Sequence, residues 1–286
     1  MLGKNENQDP ISATQGFLFD VDGTLVLGDS DSNGYRMLPG ADSVIAELRR
    51  RALPFACLTN GSGDTPREYA DKLRAAGLDV TEKEMWTPAS IAARYLKARG
   101  ASRVLVLGMP GVWMPLKEAG IEVLLPDDPP AEVDSVLVGW HPEVRFRHIE
   151  LACEAVWRGA KLYVTSGAIL FATHRGRGIG VSGALVAMIS KVTGKRAAIM
   201  GKPAQLAMRT VVASMGLTPG NVIVVGDDPN LEIAMARVAG SHAVAVLTGL
   251  ADRSSLDALP PERRPHLILG NVGELLTSGL FPASRA

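Results

Sequence analysis

The sequence predicts an α/β fold: a doubly wound, mainly parallel sheet with a second, smaller α/β domain inserted into it. Three observations carry that prediction. Short apolar runs alternate with helix-like stretches along nearly the whole chain, the rhythm of parallel strands joined by helical crossovers. Several runs stop abruptly at a polar cluster, as strands do when their carboxyl ends border a ligand crevice. The last third of the chain returns to the pattern of the first, after an interval of strands that would make a small α/β domain by itself.

The first strand is Gly16–Phe19, followed by Asp20-Val21-Asp22-Gly23-Thr24. A loop through Gly28–Pro39 leads to a helix over Ala41–Arg51, whose closing arginines suit the negative end of a helix dipole and need no partner. The next strand, Pro54–Leu58, ends at Thr59-Asn60-Gly61-Ser62. Thr65 and Pro66 then read as the N-cap and first position of a helix that stops at Gly77. The middle set of strands is Val104–Gly108, Glu122–Leu125, Ser135–Gly139 and Lys161–Thr165. In the third stretch a helix follows Gly201-Lys202-Pro203, with Pro203 at its first position. The strand Asn221–Val225 runs into Gly226-Asp227-Asp228, and Ala243–Leu247 into Thr248-Gly249. Leu267–Leu269 precedes a last helix capped near Asn271. The predicted domains are residues 1–97 plus 198–286 for the core and 98–197 for the insert.

Composition narrows the function. The chain has 286 residues, 47% of them hydrophobic, and equal numbers of basic and acidic side chains, 30 each. That balance gives no support to a nucleic-acid or anionic-membrane partner. Two cysteines far apart, Cys57 and Cys153, suit a reducing cytoplasm better than a disulfide framework. No apolar run approaches the length of a membrane span, and the polar stretch Met1–Gln15 reads as a frayed leader. The tryptophans Trp113, Trp140 and Trp157 are most simply packing residues of the insert or its hinges.

Four polar sites sit at strand ends or a helix start: Asp20/Asp22, Thr59-Asn60, Lys202 and Asp227-Asp228. Strand alternation places Asp20 and Asp22 on one face, with Val21 turned away. Two carboxylates so close call for a cation or a shared proton, and one can attack while the other carries a proton. Asp20 and Asp227 offer hard oxygen ligands for Mg²⁺, with a backbone carbonyl as a third. Thr59 and Lys202 donate to an anion. Each site alone also reads as a turn or a cap; the joint order of all four points to phosphate chemistry.

The order DVDGTL, LTNGS, GKP and VVGDD resembles that of the haloacid dehalogenase superfamily, over roughly residues 16–280. With the insert between the second and third motifs, the chain is similar to the class IIA, 4-nitrophenylphosphatase-like branch, whose core is Rossmann-like and whose insert is a C2-type cap. The resemblance implies a cytoplasmic, Mg²⁺-dependent phosphomonoester hydrolase working through an aspartyl-phosphate. Asp20 would be the nucleophile and Asp22 the general acid and base. Thr59, Asn60 and Gly61 would hold the phosphoryl oxygens, and Lys202 would neutralise charge. Asp20, Asp227 and the Asp22 carbonyl would bind the metal. Sugar or polyol phosphates, nucleotides, phosphoglycolate or pyridoxal phosphate are the implied substrates, and a homodimer the implied assembly. The rival readings are a phosphotransferase or mutase of the same superfamily, or a weakly catalytic binder of a phosphorylated ligand.

The chain departs from the branch in two places. In the fourth motif Leu231 and Glu232 stand where Thr-Asp is usual, so that Glu232 or Asp228 becomes a candidate for assisting the metal. In the insert, Gly139-Trp140-His141 and Thr165-Ser166-Gly167-Ala168 lack the usual acids. The segment His174-Arg175-Gly176-Arg177-Gly178 adds cations, readable as a solvated loop or as ligands for an anionic leaving group.

Overall fold

The computed structural model describes residues 14–29, 34–173 and 176–282. Along the chain the elements are β1 (Gly16–Phe19), β2 (Val26–Asp29), β3 (Gly34–Met37), α1 (Ala41–Arg50), β4 (Phe55–Leu58), α2 (Pro66–Ala75) and β5 (Met85–Trp86). Next come α3 (Pro88–Ala98), β6 (Arg103–Leu107), α4 (Pro110–Glu118), β7 (Glu122–Leu124), β8 (Ser135–Val138), α5 (Phe146–Trp157) and β9 (Lys161–Val164). Then follow β10 (Leu170–Thr173), β11 (Gly176–Ile179), α6 (Val181–Thr193), β12 (Ala198–Ile199) and α7 (Gln205–Ser214). The chain closes with β13 (Val222–Gly226), α8 (Ala234–Ala239), β14 (His242–Val246), α9 (Arg253–Asp257) and β15 (Leu267–Leu269). Packing divides it into two units, one of Met1–Thr59, Tyr69–Trp86 and Met208–Ala286, the other of Asn60–Glu68 and Thr87–Ala207.

The first unit is built on a six-stranded parallel sheet in the order β15-β14-β13-β1-β4-β5. Strands covered on both faces read as continuous apolar runs, and every residue of β1, β4 and β13 is buried. Phe17 and Phe19 stack in its core, where α1 contributes Ala41, Val44, Ile45 and Leu48 from one stripe. The arginines closing α1 do have partners: Arg49 pairs with Asp79 and Glu84, and Arg50 and Arg51 with Glu47. The stretch expected as a loop before α1 contains the antiparallel pair β2–β3. The final turn, Val272–Thr277, is a 3₁₀ helix, with Asn271 Oδ1 accepting from Gly273 N at 3.0 Å.

The second unit has its own parallel sheet, ordered β12-β9-β8-β6-β7, and the antiparallel pair β10–β11. One side of the sheet packs on α5 and α6, through Ile149, Cys153, Leu185 and Ile189. Another cluster joins Ala92 and Leu96 of α3 with Val112 and Leu116 of α4. Trp113 is partly buried there. Trp157 is not a packing residue: at the end of α5 it is 62% exposed. Thr65 caps α2 as expected, its Oγ1 accepting from Glu68 N at 3.3 Å. Pro203 does not open a helix; α7 starts two residues later, at Gln205. Among the described residues no helix is long and apolar enough to cross a membrane.

Candidate active site

In the first unit, β1 lies between β13 and β4, in a register that aligns Phe19 with Val225 and Cys57. Asp20 therefore emerges between the ends of two neighbouring strands, anchored by a 2.9 Å bond from its N–H to the Val225 carbonyl. It is 6% exposed, and its Oδ2 accepts from Thr24 Oγ1 at 3.1 Å. Asp22 is exposed. The two carboxylates are not placed by strand alternation, because β1 ends at Phe19. Beyond it the chain turns tightly about the Val21 carbonyl, which accepts from Leu25 and Val26 N–H at 2.9 and 3.1 Å. The turn separates a sheltered carboxylate from a solvated one.

Asp227 follows β13 and is 5% exposed. Its Oδ2 accepts from Leu250 N at 2.8 Å. Two glycines make room for it. A Cβ on Gly249 would lie 1.8 Å from that oxygen, and one on Gly23, which has φ of +84°, would lie 2.5 Å from it. Thr248 Oγ1 donates to the Gly23 carbonyl at 2.6 Å, tying the loop after β14 to the loop after β1. The sequence marks Thr248-Gly249 as the end of an apolar run but assigns neither them nor Leu250 to the site. Thr59, behind β4, is 3% exposed and donates its N–H to the Trp86 carbonyl at 3.2 Å. Burial pushes the Cys57 thiol well above its usual range, with the charges of Glu84 and Asp20 adding, which leaves it inert beside these groups.

The fourth motif continues into a π-helical turn, Pro229–Ile233. Such turns recur at functional sites. Asp228 caps it by accepting from Asn230 N at 2.7 Å, and Glu232, 2% exposed, folds back to accept from Asp228 N at 3.3 Å.

In the second unit, Lys202 lies just past β12 and is 3% exposed. Its N–H donates to Asn60 Oδ1 at 2.8 Å, and its carbonyl accepts from Asn60 Nδ2 at 2.9 Å. Ser62 Oγ lies 3.5 Å from Thr165 Oγ1. His141 joins a chain the sequence did not predict. Its Nε2 is 3.2 Å from His148 Nδ1, and Arg145 Nε donates to His148 Nε2 at 3.0 Å. Burial, then the neighbouring His148, holds the His141 imidazole below its usual range. His174 and Arg175 lie outside the described residues, and Arg177 is on β11.

Among the described residues no three His, Cys, Asp or Glu side chains gather into a metal cluster. The donor set nonetheless suits a hard divalent cation. Mg²⁺ uses one or two carboxylates and retains waters; Asp20 and Asp227 are two buried carboxylates behind neighbouring strands, the kind of donor such an ion takes.

A parallel sheet with acids behind adjacent strands, and a second parallel α/β unit between them in sequence, fits a haloacid dehalogenase-like hydrolase. The chain matches that family over residues 17–122 and the related HAD-hydrolase-like family over 199–275. It is 30% identical to an acid sugar phosphatase of Staphylococcus haemolyticus, covering 85% of this chain and 88% of the relative. The 4-nitrophenylphosphatase of Thermotoga maritima superposes with a TM-score of 0.83 at 26% identity, over 95% of this chain and all of the other. A glycerol phosphate phosphatase of Mycobacterium tuberculosis, solved with magnesium, superposes with a TM-score of 0.78 at 26% identity, over 97% of this chain and 79% of that one. The chain belongs to the haloacid dehalogenase-like hydrolases, in their 4-nitrophenylphosphatase-like branch.

Proposed function

We propose that the protein is a Mg²⁺-dependent phosphomonoester hydrolase acting on a small phosphorylated metabolite through an aspartyl-phosphate. The observation that carries this reading is Asp20: a sheltered carboxylate directly behind the central strand, with Asp227 one position further on behind the neighbouring strand and an exposed acid two residues away.

Asp20 attacks phosphorus, and the bond from phosphorus to the ester oxygen breaks. Asp22, starting protonated, delivers its proton to the departing oxygen. A water then attacks the phosphorus and passes a proton to Asp22. The aspartyl P–O bond breaks, releasing inorganic phosphate and restoring both acids. Thr59, Asn60 and Gly61 hold the phosphoryl oxygens, and the Lys202 ammonium offsets the charge of nucleophile and substrate. Asp20, Asp227 and the Asp22 carbonyl would hold Mg²⁺, which would neutralise charge so that two anions can meet. The inserted α/β domain, bounded at about residues 98 and 197, selects the leaving group. Cytoplasmic residence accords with two buried free thiols, and a homodimer belongs to the same reading.

The test is phosphate release from a panel of phosphomonoesters with Mg²⁺, phosphorylated sugars first, comparing wild type with Asp20→Asn. Wild type should turn over, and the variant should lose at least about a thousandfold. Free phosphate identifies hydrolysis; transfer to another acceptor would identify a transferase. No release by wild type across the panel would overturn the reading.

A further inference from the structure

Asn60 stands directly after Thr59, yet its side chain turns to the Lys202 main chain. Among the described residues its hydrogen bonds are the two to the Lys202 main chain, at 2.8 and 2.9 Å, reaching across 142 positions of sequence. A primary amide offers a donor and an acceptor side by side, and here they meet the carbonyl and N–H of one residue. The orientation is unique: exchanging oxygen and nitrogen would set donor against donor and acceptor against acceptor.

The surroundings reinforce this clamp. A Cβ on Gly201 would lie 2.4 Å from Asn60 Oδ1, 2.7 Å from the Thr165 carbonyl and 2.9 Å from Pro88 Cγ, so only glycine lets the amide come so near. Gly201 N donates to the Thr165 carbonyl at 2.9 Å, and Ala204 N to the Gly201 carbonyl at 3.0 Å. The backbone is thus fixed on both sides of Lys202, setting the point from which its buried side chain starts.

We infer that Asn60 is a positioning residue: its side-chain amide fixes the Lys202 main chain and thereby where the ammonium is presented. This role is distinct from anything the Asn60 main chain does, and it rests on the reading of Lys202 as the charge-neutralising cation. Displacing a catalytic cation by a fraction of an ångström lowers rate without abolishing substrate binding.

The test is a double-mutant cycle on 4-nitrophenyl phosphate hydrolysis by the Mg²⁺-loaded protein, with Asn60→Ala, Asn60→Asp, Lys202→Ala and the double variant. Single turnover at high enzyme concentration covers the slow proteins. Asn60→Ala should lower kcat/KM about 10- to 100-fold, mostly through kcat. Asn60→Asp, nearly isosteric, should fare no better, because it sets a carboxylate oxygen against the Lys202 carbonyl. In the Lys202→Ala background the Asn60 change should cost less than about threefold, the mark of two residues acting as one unit. Should Asn60→Ala fail to fold, Asn60→Asp takes its place in the cycle. Equal cost in both backgrounds overturns the inference, as do Asn60 variants within about twofold of wild type. A Lys202→Ala protein as active as wild type overturns the reading of Lys202 itself.

Discussion

Asp227 is held by contacts too close for any side chain at position 249. A methyl there would sit 1.8 Å from Asp227 Oδ2, and the Leu250 N–H that binds this oxygen would move with the displaced loop. Gly249→Ala should therefore weaken Mg²⁺ binding about 10- to 100-fold, the usual cost of disturbing a ligand's support, read by calorimetric titration without substrate. Affinity equal to wild type would mean that Asp227 does not govern the metal. At this scale Asp20, Thr59, Lys202 and Asp227 are legible in sequence because each breaks or follows an apolar run. Gly249 and Leu250 are not, since they act through a missing Cβ and a main-chain N–H. The turn about the Val21 carbonyl was equally hidden: alternation stops where the strand stops. Glu232 shows how a departure is absorbed. Its carboxylate is turned onto Asp228 N within a π-helical turn, a use of the longer side chain that spacing alone does not reveal.

Elements end where the backbone can enter the left-handed region, and α1 does so with the wrong residue. Leu53 N donates to the Leu48 carbonyl and Ala52 N to the Arg49 carbonyl, each at 3.0 Å, the paired bonds of a Schellman stop. Ala52 occupies its left-handed position, with φ of +51°, where α6 and α8 use Gly194 and Gly240. Left-handed geometry costs a residue with a Cβ about 1–2 kcal/mol, part of which glycine returns as unfolded-state entropy. Ala52→Gly should stabilise the first unit by about 0.5–1 kcal/mol in urea unfolding; destabilisation would show that the Ala52 methyl matters more than the strain. Helices with a cap signal, such as α2 after Thr65, were legible. The pairs β2–β3 and β10–β11 and the two-residue β12 were not, because short strands lack a measurable period. Apolar character also misled at Trp157, which ends α5 in solvent.

At the scale of the whole molecule, the sheet-and-insert plan was legible because two sets of parallel strands recur with a consistent rhythm. The electrostatics that set stability against pH were not, because they depend on which rings and cations the fold brings together. His266 accepts from Ala243 N at 2.9 Å, stacks on His242 with ring centroids 4.5 Å apart, and lies beside the Arg237 guanidinium. Burial first, then the charges of His242 and Arg237, push its pKa from 6.5 down to about 4. His141 and His242 are shifted the same way, each chiefly by burial. A histidine depressed in the folded state favours folding while neutral. Its contribution is complete above about pH 6.5 and is lost as the unfolded chain takes up protons that the native state refuses, down to about pH 4. Glu47, held at about 2 by its bonds to Arg50 and Arg51, stays ionised in the folded protein, while its unfolded carboxyl takes up protons near 4.5, so it adds a slope of the same sign at the acid end of that window. Melting temperature should therefore fall as pH drops from 7.5 to about 5. His266→Gln, which keeps an acceptor for Ala243 N without a titrating ring, should flatten that fall. A variant whose melting temperature declines as steeply as wild type would remove His266 as the source and leave His141, His242 and the carboxylates held low in the folded state to account for the slope.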